Sequence, residues 1–115
     1  MTFRRIARVF SAFILILLVI AALGPAEWAP RSGLGWEIDH FIGYFVITSI
    51  VCVAWPRPLF VGLILSLVAA LLEALQALTP DRSSNFEAAC YGIGGVLAAA
   101  LLAELIVRVR KQRSD

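Results

Sequence analysis

The sequence has few charged residues: only 16% of its 115 residues are Asp, Glu, Lys or Arg, whereas 61% are hydrophobic. A water-soluble domain of this length has one modest core, and its surface could not hold so many aliphatic side chains without large exposed apolar patches. The mean hydropathy of +0.89 points the same way. This composition excludes an ordinary soluble domain and predicts an integral membrane protein.

The sequence also lacks the residue patterns of several function classes. The net charge is only +2, with the basic residues clustered at the chain ends, so no nucleic-acid partner is predicted. The two cysteines, Cys52 and Cys90, lie inside apolar runs and are predicted to be buried hydrophobic residues. His40 is the only histidine, so the sequence predicts no metal site and no cofactor.

Four apolar stretches are separated by clear helix-breaking segments. Gly24-Pro25 follows the first stretch, Pro56-Arg57-Pro58 separates the second from the third, and Thr79-Pro80 ends the third. Each stretch approaches the length that a spanning helix needs. The prediction is an all-α bundle of four transmembrane helices, in one domain over residues 1–115, with helices at about 8–24, 38–55, 59–78 and 86–107.

The basic residues predict how such a bundle is oriented. If four helices alternate in direction, only Arg31 and Arg82 lie on one side. The other side holds Arg4, Arg5, Arg8, Arg57, Arg108, Arg110, Lys111 and Arg113. Because cytoplasmic loops carry the excess of Lys and Arg, both termini are predicted to be cytoplasmic. As an alternative, residues 1–26 resemble a cleaved secretory signal peptide, which would leave the later loops on the same sides.

Polar residues within the apolar stretches mark a candidate site. Glu73 and Gln76 share one helix face, and His40, Tyr44 and Thr48 recur every four residues along another helix. A carboxyl group in lipid is costly, so Glu73 is expected to face protein or water and to mark a functional site. The alternatives are a hydrogen bond between helices for Glu73, a water-exposed interfacial position for His40 and membrane-interface anchoring for Tyr44.

Two further features lie near the third loop. Arg82, one of the two basic residues on the predicted outer side, follows Glu73 closely and is a candidate partner for Glu73 or for an anionic ligand. The fourth helix carries small residues that are predicted to let a neighbouring helix approach closely. These residues are Ala88, Gly92, Gly95, Ala99 and Ala103.

Several of these residues together resemble the VanZ-like family over about residues 38–95. The matching motifs are His40-Phe41-x-x-Tyr44, Glu73-x-x-Gln76-x-x-x-Pro80-x-Arg82-Ser83, and the glycines Gly92, Gly94 and Gly95. The family's Asp-Lys pair ahead of the histidine is not in register: Trp36 and Glu37 stand there, Asp39 directly precedes His40, and the Lys is missing. The Asp and Asn expected after the Arg-Ser do not align, and Asn85, Glu87 and Gly92 are approximate or shifted counterparts. The secondary candidates are Asp39, Asn85 and Glu87.

The resemblance implies a multi-pass protein of the bacterial cytoplasmic (inner) membrane and cell envelope, in a family whose namesake is associated with resistance to the glycopeptide antibiotic teicoplanin. The favoured hypothesis is a binding module that engages an envelope lipid, peptide or glycan, or another membrane protein, outside the cytoplasm. Its pocket would comprise His40, Tyr44, Glu73, Gln76 and Arg82. Two alternatives stay open: an intramembrane enzyme on an envelope lipid, with Glu73 or His40 as general base, or a purely structural membrane subunit.

Overall fold

The computed structural model describes residues 2–24, 33–76, 78 and 86–114 of the chain. These residues form four helices and, within the described ranges, no strand. The helices are α1 (Phe3–Leu23), α2 (Trp36–Ala54), α3 (Pro58–Gln76) and α4 (Phe86–Ser114). Each of the four is long and apolar enough to cross a membrane. The prediction of an all-α membrane bundle is therefore confirmed.

The first and last helices extend beyond the predicted bounds of 8 and 107. At the start of α1, the Thr2 hydroxyl accepts a hydrogen bond from the Arg5 backbone N–H at 3.2 Å, as an N-cap does. Near the end of α4, Arg108 Nε lies 3.0 Å from Glu104 Oε1, one helical turn away. Arg, Lys and Gln favour helix, so both helices continue past the apolar residues from which their bounds were predicted.

The starts of α2 and α3 follow from local chemistry. Gly35 precedes α2 with a φ of 113°, which favours glycine, and Glu37 and Asp39 lie in the first turn, where carboxylates interact favourably with the helix dipole. Proline suits the first position of a helix because its missing N–H would have no helical partner there, and α3 begins at Pro58. Helix α3 ends at Gln76, shortly before the predicted residue 78.

Contacts between helix ends show that α1, α2 and α3 alternate in direction, and α4 runs antiparallel to α2, since Gly92 faces Tyr44 and Gly95 faces Phe41. Arg8 Nε, near the start of α1, donates to the carbonyl oxygen of Ala54 at the end of α2, at 3.4 Å. Gln76 Nε2, at the end of α3, donates to the carbonyl oxygen of Ala22 near the end of α1, at 2.8 Å. The bundle therefore has two distinct ends. The arginine end carries Arg4, Arg8, Arg57 and the last turns of α4, and the acidic end carries Glu37, Asp39, Glu73 and Glu87.

Helices α2 and α4 share the largest interface of the bundle, and glycines allow their close approach. A Cβ atom at Gly95 would overlap with the backbone carbonyl oxygen of Phe41, and one at Gly92 would lie 3.0 Å from the Tyr44 ring. The neighbouring small residues Ala88 and Ala99 are buried as well. The predicted packing role of the small residues in α4 is therefore confirmed.

The bundle buries a narrow core and exposes its outer surface to the surroundings. Buried aliphatic side chains and Cys52 form the core cluster, which comprises Val51, Cys52, Val61, Leu65 and Val96. Large apolar side chains on every helix face outward, as expected for contact with lipid tails. The prediction that both cysteines are buried was wrong for Cys90, which is exposed. Cys90 lies midway between the inward-facing Ala88 and Gly92, so the helical period turns it outward.

Candidate functional site

A cavity of about 490 Å³ lies at the acidic end, between α1, α2 and α3. Its polar lining comprises Asp39, His40, Tyr44, Glu73 and Gln76. Four of the five primary candidates from the sequence therefore line one cavity, together with the secondary candidate Asp39.

The helical period explains why these side chains converge. His40 and Tyr44 are one turn apart at the start of α2, while Glu73 and Gln76 lie three residues apart in the last turn of α3. Because α2 begins at the end of the bundle where α3 finishes, the two polar faces meet at the same level. The Glu73 carboxyl lies close enough to the Tyr44 phenol to interact with it electrostatically.

His40 is held in a defined orientation by its own helix. Its Nδ1 lies 3.0 Å from the carbonyl oxygen of Trp36, and the two rings pack edge to face with centroids 5.9 Å apart. A carbonyl oxygen only accepts, so Nδ1 carries the proton in this hydrogen bond. In the neutral imidazole this leaves Nε2 as an acceptor, in a residue that lines the cavity.

Gln76 combines a cavity position with a structural contact. Its side chain is only 9% exposed, and its amide nitrogen donates to the backbone carbonyl of Ala22. That carbonyl belongs to the last turn of α1, where carbonyl groups have no partner within the helix. The hydrogen bond therefore joins α1 to α3 beside the cavity.

The other side of the cavity is apolar, and α1 supplies most of it. The apolar lining comprises Ile14, Leu17, Leu18, Ala21, Ala22, Val46, Ile47 and Leu72, with Gly43 among them. Sequence reasoning missed the contribution of α1, since its leucines and isoleucines are of the same types as those that face lipid. Only the packing of α1 against α2 and α3 distinguishes the two sets.

The remaining candidates do not line the cavity or lie outside the described residues. Thr48 is fully buried among the helices, and Glu87 is exposed in the first turn of α4, where a carboxylate interacts favourably with the helix dipole. Neither is among the lining residues. Arg82 and Asn85 lie outside the described residues.

The described lining offers hydrogen-bond acceptors, above all the oxygen atoms of its two carboxyl groups, together with some donors. It holds two carboxyl groups, an imidazole, a phenol and an amide, and it includes no Lys, Arg, Ser, Thr or Cys. Among the described residues, no three His, Cys, Asp or Glu side chains lie together in a way that could hold a metal ion. This arrangement can accept hydrogen bonds from hydroxyl or ammonium groups while an apolar chain lies against α1.

Comparison with known proteins adds no assignment. No protein-family model, curated protein or solved structure matches this chain. The resemblance to the VanZ-like family therefore stays a prediction from the motifs around His40, Glu73 and Gln76.

Proposed function

We propose that the chain is a VanZ-like membrane protein that binds an amphiphile of the bacterial cell envelope in the acidic-end cavity. The observation that carries the proposal is a cavity of about 490 Å³ in which five polar side chains face an apolar wall. The volume suits one small organic group or a lipid head with part of its chain. The envelope as the source of the ligand rests on the VanZ-like resemblance, which also extends the proposal to a role in tolerance of teicoplanin-type glycopeptides.

The lining favours one kind of polar group in the ligand. Asp39 and Glu73 contribute carboxyl oxygens, and His40, whose Nδ1 bonds to the Trp36 carbonyl oxygen, lines the same cavity. The two carboxyl groups of the lining disfavour an anionic head by charge repulsion. A ligand with hydroxyl or ammonium donors, such as a glycolipid or a lipidated peptide with a free amine, matches this lining.

A competition experiment with dodecyl amphiphiles tests the proposal. Native mass spectrometry of the purified protein in a polyoxyethylene detergent would follow the displacement of bound dodecylamine by dodecyl maltoside or by dodecyl phosphate. We expect the maltoside to displace the amine, because its hydroxyl groups donate to the same acceptors, and the phosphate to leave it bound, because the carboxyl groups repel its negative charge. Equal displacement by the phosphate, or no saturable binding of dodecylamine, would contradict the proposal.

We also propose that the acidic end faces the outside of the cytoplasmic membrane. The support is the excess of Lys and Arg at the arginine end, which follows the distribution found in cytoplasmic segments. Green fluorescent protein fused after residue 115 should fluoresce, and alkaline phosphatase fused after Gly33 should be active in a bacterial host. A dark fluorescent protein after residue 115 together with inactive phosphatase after Gly33 would reverse the orientation.

A structural role for the polar residues is the second candidate function. It is favoured by the hydrogen bond from Gln76 to Ala22, which holds two helices together. An enzyme is not proposed, since the described lining supplies groups that can act as bases but no hydroxyl or thiol nucleophile of Ser, Thr or Cys. Replacement of Glu73, described in the Discussion, separates binding from a structural role.

A further inference from the structure

A second groove, of about 630 Å³, lies at the arginine end between the start of α1 and the segment that joins α2 to α3. Its described lining includes three arginines, Arg4, Arg8 and Arg57, and no carboxylate. The ion pair of Arg108 with Glu104 belongs to α4 and not to this lining. The groove therefore gathers positive charge that its own lining does not neutralise.

Arg8 is positioned by two contacts. Its Nε donates to the Ala54 carbonyl oxygen at 3.4 Å, and its guanidinium carbon lies 5.5 Å from the centre of the Trp55 ring. These two contacts do not use the terminal N–H groups of the guanidinium, so those groups can donate hydrogen bonds to a bound acceptor. The fork of a guanidinium matches the oxygen atoms of a phosphate group, and two neighbouring arginines add to the attraction.

The same groove continues into an apolar surface. Phe60 and Ile64, one turn apart on α3, line the groove and are 62% and 42% exposed, so they face the surroundings of the bundle. Val61 and Leu65 line its buried side. An occupant with both an anionic head and an apolar chain would contact the arginines and this surface together, whereas a free anion would use only the arginines.

We propose that this groove binds an anionic phospholipid, with the phosphate against Arg4, Arg8 and Arg57 and one acyl chain along Phe60 and Ile64. Basic pockets between membrane helices have the charge and position to bind anionic lipid heads. This site is separate from the acidic-end cavity and takes a ligand of the opposite charge, so it does not depend on the proposed function. The two sites differ in every lining residue among those described.

The test uses the full-length protein and two lipids with identical chains. Native mass spectrometry would compare didecanoyl phosphatidylglycerol with didecanoyl phosphatidylcholine, each alone and with inorganic phosphate in excess. We expect at least about tenfold tighter binding of the phosphatidylglycerol, since it lacks the choline charge that offsets the phosphate. Inorganic phosphate should compete weakly, because it gains nothing from the apolar surface.

The triple variant Arg4→Gln, Arg8→Gln, Arg57→Gln should lose this preference. The control Arg5→Gln, Lys111→Gln, Arg113→Gln removes the same charge from the same end outside the groove and should keep the preference. Because Arg8 contacts Ala54, the double variant Arg4→Gln, Arg57→Gln provides a second test that leaves that contact in place. Circular dichroism would verify that each variant is folded. Equal loss in the control would assign the effect to the general field of the arginine end and overturn the proposal. Tight phosphate binding without lipid preference would also overturn it.

Discussion

Replacing Gly95 by alanine should destabilise the bundle by about 3 kcal/mol, because it forces extra volume into a tight helix contact. A Cβ atom at this position would overlap with the Phe41 carbonyl oxygen and lie 3.1 Å from the carbonyl carbon. These are backbone atoms, so no side-chain rotation relieves the overlap. Helices α2 and α4 would have to move apart locally, which would loosen the largest interface of the bundle.

Two other glycines provide matched controls for this substitution. A Cβ atom at Gly94 would lie 3.7 Å from the Phe41 ring, which is an ordinary contact, and one at Gly43 would meet nothing within 4 Å. Alanine favours helix over glycine by about 1 kcal/mol, so Gly94→Ala and Gly43→Ala should be as stable as the wild type or more so. Unfolding by sodium dodecyl sulfate, followed by circular dichroism, measures the difference. Equal stability of the Gly95 and Gly94 variants would contradict the α2–α4 packing described above.

Replacing Glu73 by glutamine should weaken dodecylamine binding by about ten- to a hundredfold. The amide is nearly isosteric with the carboxyl group, so the cavity keeps its shape while it loses the charge that pairs with an ammonium group. A hydrogen bond to a charged group contributes about 1.5–3 kcal/mol, which corresponds to this range. Titration by native mass spectrometry gives the dissociation constants, and binding of dodecyl maltoside should weaken less.

The control for this variant is Glu87→Gln at the same end of the bundle. Glu87 is an exposed carboxyl group of α4 that does not line the cavity, so its replacement should leave dodecylamine binding unchanged. The pair of variants also separates binding from a structural role. If Glu73→Gln lowers the stability of the bundle and leaves the dissociation constant unchanged, Glu73 holds the helices together and the binding proposal fails.

The sequence predicted the bundle because a membrane leaves few choices for its backbone. Hydrogen bonds that cannot be made to lipid must be made within each segment, so four apolar stretches between helix breakers become four helices. The convergence of His40 and Tyr44 with Glu73 and Gln76 was also predictable, since helical spacing and alternating direction place both pairs at one end. This is why most of the polar candidates line one cavity.

Other features could not be predicted from the sequence pattern, and the reasons are physical. Lipid-facing and cavity-facing leucines are chemically identical, so the apolar wall from α1 is visible only once α1 is packed. Helix ends were misplaced because they were predicted from apolar residues, whereas Thr2 capping and the Glu104–Arg108 pair lengthen the helices beyond them. The groove at the arginine end was not predicted either. The arginines were interpreted only as a sign of orientation, and the contact of Arg8 with Trp55 joins residues that are far apart in the chain.

The two ends of the bundle thus differ in what they can bind. The acidic-end cavity presents acceptors beside an apolar wall, and the groove at the arginine end presents guanidinium donors beside an apolar surface. In a membrane, both arrangements suit amphiphiles whose heads lie at opposite faces of the bilayer. Glu73→Gln is expected to weaken the binding of ammonium and sugar heads, and the arginine variants the binding of phosphate heads.

The most direct test of the central claim, that an amphiphile occupies the acidic-end cavity, is photo-crosslinking with a dodecylamine that carries a diazirine on its chain. After irradiation, peptide mass spectrometry would locate the adducts. We expect adducts on Ile14, Leu18 and Leu72, which line the cavity, and their loss when unlabelled dodecylamine is added in excess. Adducts confined to outward-facing residues such as Leu63 and Leu101, unaffected by the competitor, would contradict the account.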